Sequence, residues 1–375
     1  MTVVARIAIK DCPMLIGDLL LSGPPLPGVT TVIPTADDLS MAFLSSSPVV
    51  PRDLCQKIAV VGDNLVVGWA GSYDVARDVI SELVRLNAAR PFTNELLQRH
   101  FDSLSPSVWL DPNVQGRQNA IGLVGFVRDG NRVAQFGRSN YQLPTQLFGT
   151  VGLLGTWWHD VEEFLKKFQQ LPESRDRPTN ALEQSLSFGL QLTGTFLNLE
   201  MATLDSVKKL YGGGYEIAAS IAGKFEKLDD VTYVFWETRT DGTTVRLNLV
   251  PRRVFRYAYQ DDLLVIRAVS FQGEGPTDTV RQDLFPVRPV YRDLRPTEIT
   301  SPPVPTLNTR WLCNFIFVSL PNGRTGILTL VLYKATGGDR WVKFFDNPIG
   351  VGVQQEFLDL VVREFWEEFG IRVEY

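Results

Sequence analysis

The chain has 375 residues, which is typical of two or three domains rather than of one small module. Apolar residues make up 44% of it and charged residues 21%, so the sequence can bury a sizeable core and lacks the composition of a disordered or collagen-like chain. The net charge of −5 argues against a general nucleic-acid-binding protein, because such proteins neutralise phosphates with a basic surface.

The first residues and the cysteine and histidine counts exclude further classes. Arg6, Lys10 and Asp11 stand where a signal peptide would have its apolar core, and no stretch reaches the roughly 18 uncharged apolar residues of a membrane-spanning helix. We therefore expect a cytoplasmic protein that does not bind a membrane. Three distant cysteines and two histidines predict neither a disulfide framework nor a zinc site, and no cofactor is indicated.

The first part of the chain alternates groups of strands with pairs of helices. A Pro-rich excursion over 23–50 separates the first two predicted strands from the next two. This order is neither a βαβ alternation nor a repeat, and it favours antiparallel sheets covered by helix pairs. The predicted strands are 2–9, 13–18, 57–61, 64–71, 119–127, 131–137, 215–219 and 231–236, and the predicted helices are 72–86, 93–104, 157–170 and 179–203.

The character of the sequence changes after residue 240. Strands are predicted at 243–250 and 263–271, followed by a Pro-rich linker over 285–305. A hairpin and a helix that ends at Gly370 complete the chain. We therefore predict a domain over 1–240, a β-rich connector and linker over 241–305, and a small α+β domain over 306–375.

Two glycine- or arginine-rich segments after residue 200 have ordinary interpretations. Gly212, Gly213 and Gly214 lack the Lys-Ser/Thr that follows a phosphate-binding loop, and they are interpreted as a turn. The short basic run at Arg252, Arg253 and Arg256 is interpreted as a solvated strand face rather than a phosphate site.

The start of the chain offers chemistry that needs no histidine. Removal of Met1 would expose Thr2, whose hydroxyl can attack a carbonyl while its own α-amine, with an ordinary pKa near 8, accepts the proton. A hairpin centred at Lys10 would place Asp18 opposite Thr2, within about one register step. An ammonium at Lys57 would lower the proton affinity of the amine and the hydroxyl, and the N–H of Gly71, just before a helix, could stabilise an oxyanion.

These residues and their spacing resemble the proteasome β-subunits and their bacterial relatives, which are N-terminal nucleophile hydrolases. The interval from Thr2 to Asp18, the interval from Lys57 to Gly71 and the segment Trp-Ala-Gly-Ser-Tyr-Asp-Val-Ala carry the likeness, which covers roughly residues 2–240. The hairpin that begins at Ala120 and the segment Leu-Phe-Gly-Thr-Val-Gly at 147–152 also match the family.

The resemblance implies an α+β fold, a four-layer αββα sandwich, in subunits that assemble into a homo-oligomeric ring. It implies a threonine-type endopeptidase with Thr2 as nucleophile, Asp18 and Lys57 as its charged partners and Gly71 as oxyanion donor. Trp69 would form the floor of the substrate pocket and favour small side chains there. An ATP-dependent unfolding partner is a property that the sequence does not determine.

The sequence also departs from the family's pattern. The interval from Asp18 to Lys57 is long, so the stretch 23–50 is an insertion beside the site. The supporting residues correspond at best to Thr150, Glu200 and Thr203, and the family does not account for residues 243–375. Two alternatives therefore stay open: an inactive ring or scaffold protein that acts through its C-terminal region, and a small-molecule amidase.

Overall fold

The structure is a computed structural model in which the chain divides into two compact units. Unit 1 comprises Met1–Leu228 and Val287–Arg295, and unit 2 comprises Asp229–Pro286 and Pro296–Tyr375. The residues described are 2–9, 12–25, 31–36, 39, 43, 47–110, 120–156, 158–167, 180–241, 244–272, 279–307, 309–320, 323–333 and 341–375.

Most elements of unit 1 are antiparallel strands. The strands are β1 (Val4–Ile9), β2 (Cys12–Asp18), β3 (Leu20–Gly23), β4 (Val50–Leu54), β5 (Ile58–Val61), β6 (Leu65–Gly71), β7 (Ile121–Asp129), β8 (Arg132–Arg138), β9 (Tyr141–Thr145), β10 (Gly149–Leu154), β11 (Tyr215–Ile221) and β12 (Lys224–Lys227). The helices are α1 (Tyr73–Ala89), α2 (Asn94–Ser103), α3 (Trp158–Lys167), α4 (Ala181–Thr203) and α5 (Asp205–Lys208), with a 3₁₀ turn at Pro106–Val108.

Unit 1 is organised around two larger sheets. One has the strand order β12-β11-β2-β1-β10-β9 and the other β5-β6-β7-β8, while β3 and β4 form a separate pair. Val4 and Leu15 of the first sheet share a core with Val66 and Val124 of the second, because alternate apolar residues of a strand face the same side. Gly68 allows this close approach, since a Cβ atom there would lie 2.6 Å from Cγ1 of Val4.

The helices of unit 1 bury their apolar sides against these sheets. Ile80 and Leu83 of α1 and Phe101 of α2 join a core cluster with Val67 and Trp69 of β6. The long helix α4 is apolar along most of its length, as its sequence predicts, and its Gly189 leaves room for Met14 of β2.

Unit 2 is a mainly antiparallel sheet with one long helix. Its elements are β13 (Val231–Asp241), β14 (Thr244–Leu247), β15 (Arg253–Gln260), β16 (Leu263–Gln272), β17 (Thr279–Val287), β18 (Trp311–Ser319), β19 (Thr325–Tyr333), β20 (Val342–Asp346), β21 (Ile349–Val353), β22 (Val373–Glu374), α6 (Pro296–Thr300) and α7 (Gln355–Phe369). The central strand β13 pairs antiparallel with β15 and parallel with β18. Phe357, Val361 and Phe365 of α7 lie in its core, and α7 ends at Gly370 in a left-handed conformation, as predicted.

The predicted fold class is wrong. Strands hold 46% of the chain and helices 27%, in several antiparallel sheets, so the chain is mostly β-sheet and not a clear αββα sandwich with an N-terminal α/β core. The prediction of an αββα sandwich, with a β-rich region after residue 240, came from the resemblance of short motifs, which do not specify how distant strands pair. It missed strands such as β9, β17 and β20, whose pairing partners are not apparent in their local sequence.

The predicted divisions after residue 240 fall inside folded structure. The boundary at 240 lies next to the end of β13, and the predicted connector and linker 241–305 contains β15, β16 and β17. Residues 287–295 of that linker group with unit 1. The basic run was predicted to be a solvated strand face, but Arg253 and Arg256 lie in β15, between β13 and β16, and are buried, and Arg256 pairs with Asp230.

None of the helices in the described ranges is long and apolar enough to cross a membrane.

Candidate functional site

The first hairpin brings Asp18 to the start of the chain. Val4 pairs with Gly17, so the register differs by one residue from the predicted one and sets Asp18 opposite Val3. The N–H of Asp18 donates to the carbonyl of Val3 (3.1 Å), and the N–H of Val3 donates to Oδ1 of Asp18 (2.9 Å). Thr2 is 2% exposed. The structure thus places the Asp18 carboxylate against the backbone next to Thr2, one residue away from the predicted register.

Lys57 approaches the same carboxylate from the beginning of β5. It is 1% exposed, and Gly17 makes room for it, since a Cβ atom there would lie 3.2 Å from Cβ of Lys57. Burial lowers the pKa of Lys57, and the negative charge of Asp18 is the largest opposing influence. Burial raises the pKa of Asp18 to about 6, against the charge of Lys57 and two backbone hydrogen bonds. Both groups are therefore desolvated, and the charge of each opposes the shift that burial causes in the pKa of the other.

The glycine segment after α5 completes the surroundings of Asp18. The N–H of Gly212 donates to Oδ2 of Asp18 (3.0 Å), and the N–H of Gly213 donates to Oε1 of Glu200 (2.8 Å). Gly212 has a φ of +112°, and a Cβ atom there would overlap the carboxylate of Glu200. The segment bends at Gly213, and its backbone N–H groups hold two buried carboxylates, which sequence reasoning missed.

Glu200, a predicted supporting residue, lies at the other side of this glycine segment near the end of α4. Its carboxylate accepts hydrogen bonds from Ser206 Oγ (3.2 Å), Tyr215 Oη (3.4 Å) and the hydroxyl of Thr35. Burial raises the pKa of Glu200 to about 7, although these hydrogen bonds oppose the shift. Thr35 comes from the inserted stretch 23–50, which therefore contributes directly to the surroundings of the site.

The two predicted supporting threonines have other surroundings. Thr150 is exposed on β10, opposite Pro144 of β9. Thr203 is exposed at the end of α4, where its hydroxyl donates to the carbonyl of Leu199 (3.0 Å) and accepts from the N–H of Asp205 (3.2 Å). These contacts are local to the pairing of β9 with β10 and to the end of α4.

Gly155 contacts Thr2 instead. It directly follows β10, which pairs antiparallel with β1 through Val4 and Leu154. Gly155 has a φ of +98°, and a Cβ atom there would overlap the carbonyl oxygen of Thr2. Only the pairing of β1 with β10, which are about 145 residues apart in sequence, reveals this contact. A glycine directly after an apolar strand is the one local signal for it.

Gly71 ends β6 with a φ of +113° and lies opposite Ile121 of β7. A Cβ atom there would overlap the carbonyl oxygen of Ala120, which also accepts from the N–H of Ser72 (3.0 Å). Helix α1 begins two residues later, at Tyr73. The predicted oxyanion donor is thus a left-handed glycine held next to a helix N-terminus.

Trp69 lies two residues before Gly71 and is completely buried. Its indole belongs to the core shared with α1 and α2, and its Nε1–H donates to the carbonyl of Gln56 (3.1 Å). Its ring also faces Lys57, whose Nζ lies 4.3 Å from the ring centroid. Trp69, which was predicted to form a pocket floor, contacts core residues and the candidate cation.

Metal ligands are not clustered in the part of the chain that the structure describes. No group of three or more His, Cys, Asp or Glu residues there could hold an ion. The three cysteines are buried free thiols. Beside the backbone next to Thr2, the structure places the buried carboxylate of Asp18, which is influenced by the charge of the buried Lys57.

No protein-family model matches the chain, and no curated protein matches it significantly.

Proposed function

We propose that the chain is a threonine-type amide hydrolase of the proteasome β-subunit type. In this proposal Met1 is removed, Oγ1 of Thr2 attacks the amide carbonyl, and the α-amine accepts the hydroxyl proton. The protonated α-amine then passes this proton to the leaving amine of the substrate, and the acyl ester that remains on Thr2 is hydrolysed by water to regenerate the hydroxyl. The observation that supports it best is the buried pair of Asp18 and Lys57 against the backbone next to Thr2.

Asp18, Lys57 and Gly71 assist Thr2 in the proposed reaction. Asp18 holds Lys57 near the reacting threonine, and the Lys57 ammonium lowers the proton affinity of the amine and the hydroxyl. The N–H of Gly71 stabilises the oxyanion of the tetrahedral intermediate. The substrate is a peptide or protein, and the chain works in the cytoplasm as a homo-oligomeric ring.

The first test is whether Thr2 becomes the N-terminal residue and reacts. We expect intact-mass spectrometry to show loss of Met1, and a β-lactone probe to acylate the processed chain once. The label should disappear in Thr2→Ala and persist in Thr2→Ser and in Thr300→Ala, which removes an exposed threonine hydroxyl of unit 2. A chain that retains Met1, or a label that survives in Thr2→Ala, would contradict the proposal.

The burial of Thr2 favours a second candidate, an inactive scaffold that acts through its C-terminal region. A side chain that is 2% exposed offers little surface to a polymeric substrate. A processed chain that takes no label but still assembles into a ring would support this alternative. If the probe acylates Thr2 and only small amides are hydrolysed, the chain is a small-molecule amidase.

A further inference from the structure

Lys57 and Trp69 are neighbours across two antiparallel strands. Ile58 of β5 pairs with Gly68 of β6, so Lys57 and Trp69 form the next pair of the ladder. The N–H of Trp69 donates to the carbonyl of Lys57 (3.0 Å), which shows that the pairing continues to them. Because directly opposite residues project to the same face, the lysine and the indole lie on one side.

The contact between them has the geometry of a cation–π interaction. Nζ of Lys57 lies 4.3 Å from the centroid of the indole ring, within the distance at which an ammonium is attracted by the ring face. Both side chains are buried, so water does not weaken the attraction. The hydrogen bond from Trp69 Nε1 to Gln56 fixes the ring in this orientation.

Several other groups influence the charge of Lys57. Asp18 of β2 has the largest opposing effect, and Cys55, Glu216 of β11 and Asp53 of β4 act in the same direction. Glu216 is itself paired with Lys227, which reduces the effect of its negative charge on Lys57. Burial works against all of these and lowers the pKa of Lys57. The indole attracts the ammonium but not the neutral amine, so it adds to the groups that keep Lys57 charged.

We propose that Trp69 is a positioning residue, which holds the Lys57 ammonium in place for the reaction of Thr2. This inference rests on the proposed function, since it assigns a role to Trp69 only if Lys57 acts on the threonine. It replaces the expectation that the indole forms the floor of a substrate pocket. It also explains why a large aromatic side chain occupies this strand position directly opposite a buried lysine.

The test compares Trp69→Leu, which removes the ring face, with Trp69→Phe, which keeps one. Leu83→Ala is the matched control, because Leu83 lies in the same core cluster and its truncation also destabilises unit 1. One readout is the titration of Lys57 Cε by NMR, assigned through Lys57→Met. The other is the pH profile of the rate at which a β-lactone acylates the full-length protein lacking Met1.

We expect Trp69→Leu to lower the titration midpoint of Lys57 by about one pH unit, which corresponds to a desolvated cation–π contact. The alkaline limb of the acylation profile should move by the same amount. Trp69→Phe should restore most of both shifts, and Leu83→Ala should move neither. The midpoints do not depend on how much of each variant is folded, so they separate positioning from lost stability.

The failures of the two proposals are distinguishable. If the processed wild type takes no label, the proposed function fails, and the positioning role of Trp69 fails with it even if the Lys57 titration moves. If the wild type is acylated at Thr2 and Trp69→Leu leaves both midpoints unchanged, the inference about Trp69 alone is overturned.

Discussion

At the scale of single residues, the pair of Asp18 and Lys57 dominates the candidate site. Both side chains are completely or almost completely buried, and a buried charge is costly unless an opposite charge and hydrogen bonds compensate it. Asp18 accepts hydrogen bonds from two backbone N–H groups, and the charge of Lys57 also favours its ionised form. The pair is therefore stable only as a unit, which gives a direct test of its energetics.

Asp18→Asn should destabilise the chain by about 3 kcal/mol or more, because it leaves the Lys57 ammonium buried without its main counter-charge. The double variant Asp18→Asn, Lys57→Met should recover part of this loss. Urea unfolding of both variants measures the difference, with Asp78→Asn as an exposed control on α1. A double variant that is less stable than Asp18→Asn would show that the two groups are not coupled in this way.

The titration of Glu200 predicts how the stability of the folded chain depends on pH. Its pKa is about 7 in the folded chain and 4.5 ordinarily, so the folded state binds the proton more tightly than the unfolded state. Its contribution to stability is complete below about pH 4.5 and is lost as the pH rises to about 7. The loss should be on the order of 3 kcal/mol.

Urea unfolding at a series of pH values measures this loss. Glu200→Gln, which resembles the protonated acid, should unfold with a flatter dependence between pH 4.5 and 7. Glu163→Gln changes an exposed glutamate of α3 and should retain the wild-type dependence. If Glu200→Gln and wild type have parallel curves over this range, the carboxyl of Glu200 is not the titrating group.

At the scale of elements, the two ends of β10 carry glycines with different surroundings. Gly149 has a φ of +62° with open space around its Cα, whereas Gly155 has a φ of +98° and contacts Thr2. An alanine at either position adopts a backbone conformation that L-residues avoid. Only at Gly155 does the added methyl group also overlap the backbone of Thr2. The pair therefore separates backbone strain from the steric contact with Thr2.

We expect Gly155→Ala to lower the free energy of unfolding by about 2 kcal/mol or more, and Gly149→Ala by about 1 kcal/mol. Urea unfolding gives both values. Under the proposed function, Gly155→Ala should also lose acylation of Thr2, because the threonine backbone must shift, while Gly149→Ala should keep it. Equal losses of stability in the two variants would mean that the contact with Thr2 is not restrictive.

At the scale of the whole molecule, the chain crosses between its units. The chain leaves unit 1 after Leu228 and forms β13 to β16 and most of β17 in unit 2. It then returns to unit 1 over Val287–Arg295. There the carbonyl of Arg288 accepts from the N–H of Gln56 (2.9 Å), and the guanidinium of Arg288 pairs with Asp53 (3.0 Å). A cut after residue 228 would therefore remove Val287–Arg295 from unit 1. This segment lies in the Pro-rich stretch 285–305, which the sequence suggests is a linker.

Because the two units have separate cores, we expect a cavity in one core to destabilise that unit and not the other. Phe357→Ala removes a fully buried ring from the core of unit 2 and should cost about 3–5 kcal/mol. Hydrogen exchange should accelerate in β13 and β18 of that unit, while the amides of β1 and β2 keep their protection. Trp366→Ala changes an exposed ring of the same helix and should have little effect. Equal acceleration in both units would contradict their division.

The sequence by itself determined the features that depend on neighbouring residues. The apolar periodicity of α1 and α7, the glycine that ends α7, and the hairpin that brings Asp18 near Thr2 were all predicted, because their interactions span at most about 16 residues. The sequence also indicated Lys57 and Gly71 as candidates from their chemistry and position, and Glu200 through the resemblance to a family. Local patterns do not specify which distant strands pair.

Only the tertiary structure decided that pairing, and with it the surroundings of Thr2. The pairing of β1 with β10 brings in Gly155, and that of β2 with β11 brings the glycine segment and Glu200 to Asp18. The tertiary structure also buries Arg256, which the local sequence predicts to be solvated. These outcomes depend on satisfying buried hydrogen bonds and charges between residues 50 to 200 positions apart, which composition and periodicity do not encode.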